Sequence, residues 1–210
     1  MGGVHKVKGR IHGVGINDAD YPVNTLGADG KRQWCPAYRL WQQMINRCYS
    51  GEYKAYQDCT VSEEWHSFTE FRHWLEKQEW QGLCLDKDIF LPGNKTYSPC
   101  FCVLVSQEVN NLLCSAGAIR GNYPQGVSLC SSTGRYRASI NIEGKSLNLG
   151  RYETPEIAST VYRLKKAQVF RDVASRQASE KVAVGLRRWA QLIECTDIEY
   201  WNLPRGIYGN

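Results

Sequence analysis

The sequence predicts an α+β protein in four stretches. An irregular arm covers 1–34, and a helical unit with a strand–strand–helix core covers 35–116. A three-stranded antiparallel sheet packed on one helix covers 117–175, and a C-terminal helix with a docking tail covers 176–210. Three observations carry this. Apolar and polar residues alternate in Gln125–Cys130, Arg135–Ile142 and Lys145–Gly150, the period of half-buried strands. Helical spacing of apolar residues follows Pro36, Thr154 and Ser179. Between these patterns, glycine-containing turns and a small-residue segment over 114–124 mark the connections and the best domain boundary.

In chain order, residues 1–33 mix glycine and short polar residues with Lys6, Lys8 and Arg10, and read as an irregular arm with room for short strands, a terminus packed loosely on the unit that follows rather than an arm that grips phosphate. Pro36 opens a helix through Tyr49 that buries Tyr38, Trp41, Met44, Ile45 and Cys48. Ser67-Phe68-Thr69-Glu70 has the form of a capping box, and Phe68, Phe71, Trp74 and Leu75 form the buried stripe behind it. His66 and His73, seven residues apart, make no local chelate. Leu83–Leu91 and Tyr97–Val105 read as extended segments, and Ser106 caps a short helix carrying Val109, Leu112 and Leu113.

Strand parity sorts the later sheet into two faces. Val127, Leu129, Tyr136, Ala138, Ile140, Ile142, Leu147 and Leu149 fall on the core side. Ser128, Arg135, Arg137, Ser139, Asn141, Ser146 and Asn148 fall on the other, without a carboxylate. Thr154-Pro155-Glu156 supplies an N-cap hydroxyl, a first-turn proline and a first-turn acid. The helix that follows is expected to cover the core side with Ile157, Ala158, Val161, Tyr162 and Leu164. Val182, Leu186, Trp189 and Ile193 then mark a last helix, and Tyr200-Trp201-Asn202-Leu203-Pro204 an aromatic tail.

Composition bounds the function. The chain has 210 residues, seven tryptophans and a net charge of +5, enough length for a sizeable core and too many aromatics for disorder. Residues 1–116 hold 12 Lys/Arg against 13 Asp/Glu, residues 117–172 hold 9 against 4, and residues 173–210 hold 5 against 4. The basic excess therefore sits on the sheet–helix stretch, the footprint expected for a polyanion partner. No run of residues is long enough to span a bilayer, and Met1-Gly2-Gly3-Val4-His5-Lys6 has no apolar core behind its charges, so a soluble intracellular chain with no membrane partner is expected. The nine cysteines are odd in number and form no C-x-x-C pair, which predicts reduced, buried thiols. Zinc lacks its usual sequence support, with Cys48, Cys59, Cys100 and Cys102 the only grouping to consider.

Gly126-Val127, Tyr136-Arg137-Ala138, Gly144-Lys145, Leu149-Gly150, Thr154-Pro155-Glu156-Ile157-Ala158 and Tyr162 together resemble the ethylene-response-factor (Apetala-two) type of DNA-binding domain. That resemblance covers about a quarter of the chain and implies a three-stranded sheet lying in the major groove of double-stranded DNA, backed by one helix. The candidate nucleic-acid contacts are Arg120, in the segment that crosses to the sheet, and Ser128, Arg135, Arg137, Ser139, Asn141, Lys145, Ser146, Asn148 and Arg151. The family usually places tryptophans on this face, and none stands there in this chain.

The ββα order over 82–114 resembles the metal-binding core of HNH nucleases, and the combination resembles phage-encoded HNH homing-endonuclease-like proteins, which implies residence in the host cytoplasm. Asp86, Lys87, Asp88 and Asn110 then occupy the catalytic positions, but Lys87 stands where the family has its general-base histidine. A protonated lysine cannot accept a proton. Asp86, Asp88 and Asn110 could still collect magnesium or manganese through oxygen ligands, or could belong to a nuclease fold that has lost its chemistry. Three functions are thus carried forward: a phage-type double-stranded DNA-binding protein derived from a homing endonuclease, an active metal-dependent DNA endonuclease, and an inhibitor that grips a host protein such as transcription machinery.

Overall fold

The computed structural model describes residues 10–113 and 123–195. It is mixed α+β, with five α-helices and several small sheets among those residues. The chain divides into two compact units, Met1–Leu104 and Val105–Asn210. Residues 114–122 of the expected boundary, Arg120 with them, lie outside the described residues, as do Lys6 and Lys8 of the arm and the tail over 200–204.

In the first unit, strands β1 (Asn24–Leu26) and β2 (Arg32–Trp34) form an antiparallel hairpin ahead of helix α1 (Pro36–Tyr49). Helix α1 begins at the proline because its missing N–H is at a position that has no helical acceptor. Its apolar stripe delivers Trp41 and Ile45 to the centre of the core, both fully buried. The Trp41 indole N–H would be costly to bury unpaired, and it donates to the Trp65 carbonyl at 2.8 Å. Aromatic edges fill the space around it: Tyr38 meets Phe68 at 5.1 Å and Trp65 meets Phe71 at 5.1 Å, each nearly perpendicular.

Strand β3 (Thr60–Val61) precedes helix α2 (Phe68–Glu76) and pairs in parallel with β5 (Thr96–Tyr97), whereas β4 (Cys84–Asp86) pairs with β6 (Val103–Val105). The long strands expected over Leu83–Leu91 and Tyr97–Val105 are therefore short pieces. After Asp86 the backbone turns on the aspartate's own side chain, and the residues between β4 and β6 leave to reach β3.

The N-terminal stretch is more closely held than the loosely packed terminus expected. Ile16 bridges in parallel to Ser67, and Val23 is buried. Asp18 reaches the start of α2: its carboxylate accepts from the Ser67 hydroxyl at 2.6 Å and from the Thr69 amide and hydroxyl at 2.9 Å each. Ser67 Oγ in turn accepts from the Glu70 amide at 3.1 Å. Two side chains thus share the unpaired donors of the first turn, one local and one from 49 residues earlier.

The second unit begins with helix α3 (Gln107–Leu113), whose Val109 amide bonds the Ser106 hydroxyl at 3.2 Å. Strands β7 (Val127–Cys130), β8 (Arg135–Ile142) and β9 (Lys145–Tyr152) form an antiparallel meander in the order β7-β8-β9. The β8–β9 turn has positive φ at both Glu143 and Gly144, the twist that matches a two-residue hairpin.

Helix α4 (Pro155–Ser175) starts at Thr154, whose hydroxyl accepts from the Ile157 amide at 3.3 Å, and packs across all three strands. Helix α5 (Glu180–Cys195) lies along it. Because α4 is covered on two sides, its buried positions fill one broad arc, from Ala158, Tyr162 and Val169 through Ser159, Lys166 and Val173 to Ala167, Phe170 and Ala174. Phe170 stacks on Trp189 of α5 at 6.2 Å, and Arg171 forms a two-pronged ion pair with Glu194. Each fully buried side chain such as Phe170, Leu186 or Ile193 contributes about 1.5–3 kcal/mol through burial.

The expected sheet-facing stripe needs correction, because Ile157 and Leu164 are 49% and 53% exposed. One helix covers mainly the central strand, where Ala138 and Ile140 are buried, and the edge-strand residues Leu129 and Leu147 stay exposed. The cysteines also differ from the expectation: among the described ones, all free thiols, only Cys48, Cys59 and Cys102 are buried. Among the described residues, no helix is long and apolar enough to cross a membrane.

Gly126, at φ +79°, lies so close to the Tyr162 ring that a β-carbon there would stand 2.0 Å from Cδ2. Gly126→Ala combines a left-handed backbone with an overlap, and is expected to lower the stability of the full chain by about 2–4 kcal/mol in urea unfolding. Asp18 has a lowered pKa. Its desolvation acts upward, and the hydrogen bonds from Ser67 and Thr69 together outweigh it. Asp18→Ala is therefore expected to cost about 1 kcal/mol near neutral pH. The wild-type contribution is present above the ordinary carboxylate pKa and is lost as pH falls through the lowered folded value, so thermal melts of the two proteins should converge in acid.

Candidate nucleic-acid interface

Register, rather than simple parity, decides which side chains share the solvent face of the β7-β8-β9 sheet. Cys130 faces Arg135, Ser128 faces Arg137, Ser139 faces Asn148 and Asn141 faces Ser146. Along β9 the pairing slips at Ala138/Ser139: Ser139 takes Asn148, Ala138 takes Gly150, and Leu149 is left as the extra residue of a bulge. The bulge is held from both sides. Asn148 Oδ1 accepts from the Gly150 amide at 3.1 Å, and the Tyr152 hydroxyl donates to the Leu149 carbonyl at 2.7 Å. Gly150 carries φ +125°, and a β-carbon there would stand 2.7 Å from the Tyr152 hydroxyl oxygen.

The slip changes the chemistry of the face. Counted without it, Arg151 would share a side with Leu147 and Leu149; with it, Arg151 stands directly opposite Arg137. Ser128, Arg137 and Arg151 then form a row across the three strands, and Arg135 lies two residues along β8 on the same side. Both guanidinium groups of the row are exposed, and among the described residues no ion pair reaches either. Like charges directly opposite on neighbouring strands are unfavourable, by roughly 0.2–1 kcal/mol.

Two residues depart from expectation. Lys145 pairs with Ile142, in the row that turns toward α4, so it does not join the arginines. Glu153, just after β9, brings a carboxylate to a face expected to have none: Arg135 Nη2 stands 2.9 Å from its Oε1. Strand parity could not find this acid because it lies beyond the last paired residue. Ser128, Arg135, Arg137, Ser139, Asn141, Ser146, Asn148 and Arg151 are brought together.

Asp86, Lys87 and Asp88 lie in the loop that leaves β4, and each is engaged by its own chain. Asp86 Oδ1 accepts from the amides of Asp88 and Ile89 at 2.9 and 2.8 Å, which makes it the organiser of the turn. Lys87 is buried and donates to both oxygens of Asp88, at 2.9 and 3.0 Å, and to the Asn94 carbonyl. Asn94 completes the loop through the carbonyls of Lys87 and Thr96. Lys87 therefore neutralises the carboxylate beside it. Asn110 belongs to α3 in the second unit, whereas Asp86 and Asp88 belong to the first. Among the described residues, no group of three or more His, Cys, Asp or Glu could hold a metal ion. His66 bonds the Val61 carbonyl at 3.0 Å, a structural role.

The cysteines separate by environment. Burial pushes the Cys48 thiol up to about 12 and raises those of Cys59 and Cys102. Cys130, at the end of β7, is brought down to about 7 by hydrogen bonds from the Ser132 and then the Thr133 hydroxyl, with a further contribution from the Arg151 charge. A thiol with a larger thiolate fraction and solvent access reacts faster. Iodoacetamide near neutral pH is expected to modify Cys130 well before Cys48, Cys59 or Cys102, as read by peptide mass mapping of the folded protein. No protein-family model, no curated protein and no solved structure matches the chain.

Proposed function

We propose that the β7-β8-β9 sheet binds double-stranded DNA, laying its solvent face in the major groove. The observation that carries this reading is the Arg137–Arg151 cross-strand pair. Two exposed like charges stand opposite each other, with no ion pair to either among the described residues, in an arrangement that disfavours the fold and favours a polyanion. Size agrees as well, since three strands about 4.8 Å apart make a face about 10 Å across, against about 12 Å for the groove.

On this reading the arginines meet phosphates or guanine edges, and Ser128, Ser139, Asn141, Ser146 and Asn148 supply adaptable donors and acceptors. The likeness to the ethylene-response-factor type of domain supports the same docking. The β4, β6 and α3 order is read as the remainder of an HNH-type core, whose acids now hold their own loop together instead of a metal.

Arg137→Ala with Arg151→Ala in the full chain is expected to weaken binding to a mixed-sequence duplex by at least about thirtyfold. The far-ultraviolet circular dichroism should stay unchanged, because both side chains are solvent-exposed. The dependence of log affinity on log salt should flatten by about 0.9 for each arginine that contacts a phosphate. Lys145→Ala should have the smaller effect. Unchanged affinity in the double variant sinks the assignment.

A further inference from the structure

The Arg135–Glu153 pair is the part of the sheet face that a simple positive surface does not account for. Both side chains are largely exposed, 56% and 74%, so their contact contributes at most about 1 kcal/mol to folding. The strand ends are already fixed by the Tyr136–Tyr152 pairing next to it. A carboxylate at the rim of a surface that meets phosphates weakens attraction to any duplex, whatever its sequence. Placed on one arginine and not on the other two, it makes the three guanidinium groups unequal.

Resting on the DNA-binding reading above, we propose that Glu153 is a specificity-determining residue that holds Arg135 for a base edge and against backbone phosphate. A guanidinium has five N–H donors in a planar fork. The single oxygen at Nη2 takes one of them and leaves a two-donor edge, the pattern that matches O6 and N7 of guanine. A phosphate approaching Arg135 instead meets the Glu153 charge beside it. The acid thus orders a long side chain before binding and penalises the contact that carries no sequence information. Arg137 and Arg151, which have no such partner among the described residues, supply the general attraction.

The test uses the full-length protein and two probes: a randomised duplex pool, and the duplex that the wild type enriches from that pool. Glu153→Ala is expected to bind the pool more tightly, with a steeper salt dependence, and to lose about tenfold in its preference for the enriched duplex. Glu153→Gln, which keeps an acceptor without the charge, should also tighten pool binding and retain more of the preference. A preference unchanged in both variants, or a wild type that binds duplex without enriching any sequence, overturns the role of Glu153 and leaves the DNA-binding reading standing. A wild type that binds no duplex at all overturns both. Melting curves matching the wild type keep a folding defect from being mistaken for lost discrimination.

Discussion

One unpaired residue sets the character of the second unit's sheet. Side chains alternate along a strand with a period of two, so a single extra residue sends everything beyond it to the opposite face. Leu149 is that residue. Before it, Asn148 and Ser146 look outward and Leu147 looks toward α4; after it, Gly150 pairs with Ala138 and Arg151 joins Arg137. The bulge is stabilised locally, by Asn148 on one side and the Tyr152 hydroxyl on the other. It also requires glycine at 150, where the backbone is left-handed and a β-carbon would press on Tyr152. The cluster of positive charge follows from a backbone irregularity as much as from composition.

The same unit tolerates that cluster because its stability is made elsewhere. Helix α4 is buried on two sides, against the strands and against α5, so the core continues past a sheet whose edge-strand residues Leu129 and Leu147 stay exposed. Tyr162 packs on Gly126 and fixes the sheet side, while Phe170, Trp189 and the Arg171–Glu194 pair fix the other. Arg176, which caps the end of α4, bonds Glu108 of α3 at 2.9 Å and stands 3.6 Å from Glu143 in the β8–β9 turn. An unfavourable Arg137–Arg151 contact of a few tenths of a kcal/mol is small against several buried side chains at about 1.5–3 kcal/mol each.

What could be read from the sequence divides by range. The bounds of α1, the Thr154-Pro155 start of α4 and the glycine turns were legible because each signal is local: a proline where no N–H is needed, a hydroxyl before an apolar run, a position requiring positive φ. Strand parity recovered the outward set on β7 and β8 for the same reason. It failed where pairing is non-local. The Leu149 slip, the Asp18 cap on α2 and the Glu153–Arg135 contact each depend on a partner that only folding brings near. The α4 stripe was misread because the buried arc is wide and includes the polar Ser159 and Lys166, while the apolar Ile157 and Leu164 lie on the opposite, exposed side.

The Asp86-Lys87-Asp88 loop shows how the same residues can carry opposite chemistry. As a string, two acids flanking a base suggest a cation site. In the fold, Asp86 spends one oxygen on the amides of its own turn, and Lys87 is buried against both oxygens of Asp88. Removing Lys87's charge would leave Asp88 with an unbalanced charge in a partly buried position, and removing Asp88 would do the same to the lysine. A divalent ion arriving there would have to displace the lysine that already balances the carboxylate. The loop is thus closed electrostatically by the chain itself, whereas Arg137 and Arg151 on the sheet face solvent with no ion pair to either among the described residues.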